Sequence, residues 1–379
     1  MASKKQNRLA VLGILTAAGM LAQDAPLPKG SVNVTVPNDS PVLVVSSSTD
    51  ESRTALQGSA LMLDLHMLLS LRNVSPNRIH GITLRVVSQE VTLGGKASVA
   101  MPSLNVGPGE VFPVRIDARL MRPTQMAGGH LVEVSLDGVL FQDLSFYGPD
   151  RLNSRRTMMA MEMEAQRDRE HFKRILSQGP QALQQAILAS MAERPRLDVR
   201  VIPHGPAVTS AALAIPEQAQ QFAFLQLPDS PIQPLSGWAM VSGNAARAPR
   251  IEVKNNSSKA VKYVELGWLV SDQSGQQYMA ASLPASDANL FLPAGKSASV
   301  GQDTQLTFSR DRKPVNIQKM TGFVSEVEFT DGKVWVPNRE SLTRMMLDKV
   351  MPPSAEEQRL SNIYRTQGLP ALIQELKKF

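Results

Sequence analysis

The chain has 379 residues, 42% of them hydrophobic and 20% charged. That balance belongs to a folded protein and excludes wholesale disorder or a polytopic membrane protein, and the length favours two compact units over one. Cysteine is absent, which excludes disulfides, thiolate nucleophiles, zinc knuckles and iron–sulfur clusters, and the net charge of +6 falls to +3 without Lys4, Lys5 and Arg8, so basicity is no evidence for an anionic partner.

Those three basic residues precede an uncharged apolar run from Leu9 to Ala22, followed by Asp24, Pro26 and Pro28, the order of a secretory signal. At 1.5 Å per residue the run reaches about 21 Å, short of the roughly 30 Å hydrocarbon core. Residues 1–22 are therefore expected to be a cleaved signal peptide, with retention by an uncleaved anchor as the alternative. The protein is expected to be extracytoplasmic, periplasmic or secreted, with no integral membrane span after cleavage. Lacking Cys, it cannot carry the lipidated cysteine of a lipoprotein.

Self-comparison of the rest shows an ordered internal repeat. Leu69-Ser-Leu-Arg-Asn73-Val-Ser75 with Ile79, Ile82 and Leu84 matches Ile251-Glu-Val-Lys-Asn255-Asn-Ser257 with Val261, Val264 and Leu266. Val106-Gly-Pro-Gly109 then matches Leu292-Pro-Ala-Gly295, and Val132-Glu-Val-Ser-Leu-Asp137-Gly138 matches Val327-Glu-Phe-Thr-Asp331-Gly332. Pro149-Asp150 with Pro337-Asn338, Met158-Met159 with Met345-Met346, and Gln178-Gly179 with Gln367-Gly368 complete the series.

Each copy predicts short strands followed by a helical tail. From Leu61 to Leu71 apolar residues alternate with Met62, Asp64, His66, Leu68 and Ser70, the period of a strand with one buried face. Asn73 to Asn77 and Asn255 to Lys259 carry Asx and Ser turn chemistry, and Asp137-Gly138 and Asp331-Gly332 read as hairpin turns. With no βαβ alternation, the fold class expected is mainly β with helical tails, a tandem duplication of an antiparallel immunoglobulin-like β-sandwich followed by a helical segment. The divisions expected are sandwich 1 at 30–150, helical tail 1 at 151–194, sandwich 2 at 195–340 and helical tail 2 at 341–379. The first tail runs from about Leu152 to Ala192 with a break at Gly179-Pro180. The second predicts helices at Ser341 to Val350, Ala355 to Thr366 and Pro370 to Phe379.

No motif for nucleophilic, metal-dependent or nucleotide chemistry is present. Gly107-Pro-Gly109-Glu110 reads as a turn, since Pro293-Ala-Gly295-Lys296 breaks any anion-loop pattern. Asp64 and His66 share the exposed face of a strand and could form an acid/base couple, but nothing nearby in sequence supplies a nucleophile. Met158, Met159, Met161 and Met163 could offer thioethers to Cu(I). Helical spacing pairs 158 with 161 and 159 with 163 on diverging faces, so an apolar stripe packing on the sandwich is the expectation. No cofactor is expected. The basic residues between Arg151 and Arg174 are interleaved with Glu162, Glu164, Asp168 and Glu170, the pattern of a solvated, ion-paired helix, so no nucleic-acid partner is expected. Sequons begin at Asn33, Asn38, Asn73, Asn255 and Asn256. Aromatics are few, with Trp238, Trp268 and Trp335 the only tryptophans.

The stretch from Ile251 to Ser257 through Val264-Glu-Leu266, Asp272-Gln-Ser-Gly275 and Leu292-Pro-Ala-Gly295-Lys296 resembles the FxLYD type of extracytoplasmic sandwich domain. Gly267-Trp-Leu-Val-Ser-Asp272 stands where that family carries Phe-x-Leu-Tyr-Asp. The resemblance implies an immunoglobulin-like sandwich in an envelope setting and brings no catalytic residues. The function expected is that of an exported, non-enzymatic binding or scaffolding protein of the cell envelope, working through protein partners or a homo-oligomer. An exported enzyme with a site at the junction of the copies and a carbohydrate-binding module are the alternatives.

Overall fold

The structure, a computed structural model, describes residues 25–89, 94–124, 129–203, 217–284, 290–301 and 304–379. The expected signal peptide, 1–22, lies outside the described residues. The first half contains β1 (Ala25–Pro26), β2 (Val32–Thr35), β3 (Val42–Ser48), β4 (Arg53–Gln57), β5 (Ala60–Asn73), β6 (Ile79–Val87), β7 (Lys96–Met101), β8 (Val111–Pro123), β9 (Val132–Phe141) and β10 (Phe146–Tyr147). In sheet 1, β5 pairs along its length with β8, while β4 and β3 share its other edge and β1 extends β4. In sheet 2, β9 pairs with β6, β10 and, in parallel, β2, and β7 extends β6. The odd residues of β5 from Leu63 to Leu71 face Ile79, Ile82, Leu84 and Val86 of β6 across one core. The alternation in sequence is thus the pleat of β5, buried on one side only.

After α1 (Ser154–Leu176) and α2 (Pro180–Ser190), the second half contains β11 (Asp198–Pro203), β12 (Gln218–Gln221), β13 (Ala223–Phe224), β14 (Ile232–Ser242), β15 (Ala245–Asn255), β16 (Val261–Ser271), β17 (Gln277–Pro284), β18 (Ser297–Gly301), β19 (Thr304–Arg310), β20 (Lys313–Pro314), β21 (Lys319–Phe329) and β22 (Val334–Trp335). Sheet 3 runs β11-β19-β15-β14-β12 with β18 on β15, and sheet 4 runs β13-β21-β16-β17 with β22 on β21. They enclose a second core around Ile251, Val253, Val264, Leu266, Phe308 and Val327. The chain closes with α3 (Arg339–Arg344), a 3-10 turn at Leu347–Lys349 and α4 (Ala355–Leu376). Among the described residues no helix is long and apolar enough to cross a membrane.

The two halves share details down to single hydrogen bonds. The buried Asn73 amide donates to the carbonyls of Asn77 (2.9 Å) and Val106 (3.1 Å), and its oxygen accepts from the Ser75 N–H (3.0 Å). The buried Asn255 donates to Lys259 (2.8 Å) and Leu292 (3.0 Å) and accepts from Ser257 (3.0 Å). These two sequon asparagines therefore spend their amides inside the fold. The glycine turns are shared as well. Gly109 (φ 78°) donates to the Asn73 carbonyl and Gly295 (φ 71°) to that of Asn255, so the Gly107 loop is an inter-strand turn. One match not evident from the repeat emerges here: Asp39-Ser-Pro41 and Asp229-Ser-Pro231 occupy the same place, Val74 N–H bonding Pro41 and Asn256 N–H bonding Pro231.

Two expectations are corrected. Asp331-Gly332 does form a hairpin, with Phe329 N–H bonded to the Lys333 carbonyl, but Asp137-Gly138 lies inside β9. The β6–β9 register slips at that point, Thr83 facing Gly138 and Leu84 facing Leu136, so Asp137 is a bulge residue. Its carboxylate turns back to accept from the N–H groups of Arg151 (3.0 Å) and Leu152 (3.2 Å) and from Ser154 Oγ (2.5 Å), anchoring the entry to α1. The turn corresponding to Asp331-Gly332 is Asp143-Leu144. Both carboxylates accept from the N–H two residues on, and Leu144 takes the positive φ (63°) that Gly332 takes (79°). The helix expected from Ser341 to Val350 breaks at Met346, which is left-handed at φ 55°. The break folds Leu347 down beside Leu342 onto Leu269 and Phe323 of sheet 4. The Gly-Pro breaks stand as expected: Gly179 (φ 123°) precedes Pro180, and Gly368 (φ 82°) separates two helices inside α4 just before Pro370.

Candidate functional site

The helices cover the outer faces of sheets 2 and 4, and α1 is the wedge between them. Met158 drops into a notch made by two glycines: a Cβ on Gly81 would lie 3.1 Å from its Sδ, and one on Gly138 would lie 3.3 Å from its Cε. Met158 and Met159 are buried with Leu140 of β9 and Val334 of β22, whereas Met163 borders a shallow cavity of about 350 Å³ with Arg167, His171 and Arg339. Met161 is half-buried. The four thioethers thus occupy different settings along α1.

The face of α1 turned to α3 and α4 is ionic and buried. Asp168, with no exposed surface, receives both arms of the Arg167 guanidinium (2.9 and 3.1 Å), lies 3.5 Å from Arg339 and accepts from Ser354 Oγ at 2.6 Å. Ser354 also accepts from the Glu357 N–H (3.0 Å) as N-cap of α4, so one hydroxyl ties the start of that helix to α1. Glu162, equally buried, meets Arg169 (2.6 Å), His80 of β6 (3.0 Å) and Gln166 (3.1 Å). Burial opposes its charge, but these three partners hold its carboxyl below the usual value. Glu356 takes Arg359 in both oxygens (2.9 and 2.8 Å), and Glu357 lies 3.3 Å from Arg339. The Phe379 ring lies beside two of these guanidiniums, Arg169 at 4.1 Å and Arg359 at 5.5 Å. Under these charges Phe172, Leu183, Ile187, Leu360, Leu372 and Leu376 form a small helical core of their own.

The face of α1 turned to sheet 4 is acid-rich. Glu265 on β16 and Glu326 on β21 are directly opposed cross-strand partners, with Glu164 of α1 close by. Tyr263 Oη donates to Glu265 (2.7 Å), and Arg156 stacks on the Tyr263 ring at 3.6 Å while lying 3.4 Å from Glu326. Burial, then the facing Glu265, pushes the Glu326 carboxyl up to about 8, against the pull of Arg156. Burial first, then nearby carboxylates, also raises Glu164, and burial with the bond to Glu265 raises the Tyr263 phenol. Glu265, Glu326 and Tyr263 belong to no motif in the chain. The signal for them is a glutamate set beside core residues in each strand, Glu265 between Val264 and Leu266 and Glu326 next to Val327.

The other sequence candidates are dispersed. His66 bonds Asp117 of β8 (2.7 Å), its cross-strand neighbour, and not Asp64, because opposite residues on paired strands are closer than i and i+2 on one strand. Asp117 also accepts from Arg115 (2.7 Å), and these two bonds, His66 first, hold its carboxyl low on an open face. Trp268 is buried, its ring 4.8 Å from that of Phe222, and Trp335 is partly buried between the second core and α3. Trp238 is 46% exposed on β14. An open groove of about 1190 Å³ where the α2 end and α4 meet the second half mixes Arg194, Arg196, Arg310 and Arg365 with Glu193, Asp198 and Asp311. Neither Glu265 nor Glu326 lines any of the described cavities.

No family model matches this chain, and no curated protein matches it. Among solved structures, the crystal structure of red sea bream transglutaminase is similar at 8% identity and a TM-score of 0.13, covering 75% of this chain and 31% of that one. A Se-Met labelled β-glucosidase from Kluyveromyces marxianus is similar at 9% identity and a TM-score of 0.14, covering 70% of this chain and 45% of that one. The chain spans less than half the length of either, and likenesses of this degree carry no argument.

Proposed function

We propose that this is an exported, non-enzymatic binding or scaffolding protein of the cell envelope, built from two duplicated sandwich-plus-helix units and working through protein–protein contacts. One observation carries the reading: the ionic wedge of α1, α3 and α4 consumes one outer face of each half and leaves the outer faces of sheets 1 and 3 open. Buried ion pairs of this kind contribute little net stability but fix orientation, which is what a scaffold requires. The open face of sheet 1 presents Leu43, Leu68 and Val111, each at least half exposed, on neighbouring strands. The duplication is supported by the shared Asn73/Asn255 and Asp39/Asp229 details, and export by the order of charge and hydropathy in residues 1–22.

Two experiments test the reading. Cell fractionation with N-terminal sequencing is expected to find an extracytoplasmic protein lacking the first twenty or so residues; a cytosolic protein retaining Met1 would overturn export. A photo-crosslinking residue at position 68 or 111 is expected to yield a discrete protein adduct in cells, while one at Met158 yields none. The enzyme alternative rests on the Glu265–Glu326 pair. A hydrolytic activity abolished by Glu326→Gln without loss of folding would replace the scaffold reading.

A further inference from the structure

The open face of sheet 3 differs in chemistry from that of sheet 1. Trp238 has 46% of its surface exposed there, although a tryptophan in a fold of this size ordinarily spends its ring on the core, as Trp268 does. Its cross-strand neighbour on β15 is Arg250, and one pair further along Ser236 faces Glu252, which in turn faces Ser299 of β18. Directly opposed residues share a face of the sheet, so these groups stand around the indole on one side. Arg250 is directed across β18: a Cβ on Gly301 would fall within 2.5 Å of its Nη1, so the glycine is what admits the guanidinium. Ser236 Oγ donates to Glu252 Oε2 at 3.3 Å. Small residues on β18 leave a depression of about 320 Å³ beside Trp238, a volume at the low end of small-molecule sites.

We propose that this depression is a binding site for a neutral pyranose oligosaccharide, a role independent of the scaffold reading. A pyranose ring with equatorial hydroxyls has an apolar C–H face and a rim that both donates and accepts hydrogen bonds. It needs an aromatic plane next to donors and acceptors of both kinds, and Trp238, Arg250, Glu252 and Ser299 supply that set. The charges of Arg250 and Glu252 balance, which selects against uronates and phosphates.

The test is titration of the full chain with cellohexaose, maltohexaose and the β-1,4 hexamer of N-acetylglucosamine, followed by calorimetry and by tryptophan emission. At least one hexasaccharide is expected to bind and to perturb the emission of the exposed indole. Trp238→Ala should weaken that binding about tenfold or more, with Trp238→Phe losing less because the ring face survives. The residue is on the surface, so an unchanged thermal midpoint shows that the variants fold. Absence of binding by all three sugars up to about 10 mM, weaker than any millimolar site, overturns the proposal, as does binding that Trp238→Ala leaves intact. A concentration-dependent dimer that Trp238→Ala abolishes, with no sugar bound, would overturn it in favour of a contact between copies.

Discussion

The two faces of α1 solve the same problem in opposite ways. Toward α3 and α4, the carboxylates Glu162, Asp168, Glu356 and Glu357 meet the guanidiniums of Arg167, Arg169, Arg339 and Arg359, so buried charge is matched one for one. Toward sheet 4, Glu326 and the facing Glu265 have Arg156 beside them and Glu164 reaches Arg167 only at 3.9 Å, so carboxylates outnumber cations, and the mismatch is absorbed by a carboxyl held protonated, Glu326. Matched charge fixes geometry with little dependence on pH near neutrality. Unmatched charge makes the second contact sensitive to pH, because deprotonation there adds like charges a few ångströms apart.

The largest loss is expected at Asp168, where the matched charges of α1, α3 and α4 converge. Asp168→Ala takes their shared carboxylate from Arg167 and Arg339, leaving Arg167 with Glu164 at 3.9 Å and Arg339 with Glu357 at 3.3 Å, and is expected to cost about 3 kcal/mol, read as a fall in the urea midpoint. A loss no larger than that of a surface pair would show that the cluster is solvated.

The acid-rich face gives the next largest effect, and one of defined sign. Glu326 has a folded pKa of about 8 against an ordinary 4.5, so between those values the folded chain binds more protons than the unfolded one. Stability therefore falls as pH rises through that window, and Glu326→Gln removes the fall. The variant is expected to match the parent near pH 4 and to exceed it at pH 9, on the order of 2–4 kcal/mol. Glu162, held low, acts in the other direction: its contribution is present above its unfolded pKa and is lost as pH drops through its folded one. A thermal midpoint that does not decline between pH 6 and 9 would contradict the acid-rich reading.

Two smaller predictions sharpen the contrast between buried and open polar groups. Asn73→Ala and Asn255→Ala each remove two bonds donated to backbone carbonyls and two accepted from Ser75 or Ser257, so each is expected to lower stability by about 2 kcal/mol, and by similar amounts in the two halves. Unequal losses would mean that the shared geometry does not carry shared energetics. Asp117→Asn, on the open face beside His66 and Arg115, is expected to leave the urea midpoint unchanged.

Much of the fold was legible in the chain, and the parts that were not share a cause. The alternation of β5, the Asx turns at Asn73 and Asn255 and the Gly-Pro helix breaks are local, and each is spelled out within a few residues. Asp137-Gly138 misled because the dipeptide permits a hairpin but also permits a bulge, and the choice was made by α1, whose first N–H groups claim the Asp137 carboxylate. His66 pairs with Asp117, and not with Asp64 two residues along its own strand, for the same reason: Asp117 is 51 residues away in sequence yet adjacent in the sheet. The charges of α1 read as a solvated helix face because composition shows that charges are paired, not whether water reaches them.

The sequence by itself determined most of the element types and the Asx turn chemistry, because period, φ preference and helix breaking act over short range. Tertiary structure alone decided that the α1 charges are buried, that Glu265 and Glu326 oppose each other, and that of three tryptophans only Trp238 stands largely open on a sheet face. Burial and cross-strand neighbourhood depend on which faces pack together, and packing is decided by residues far apart in the chain.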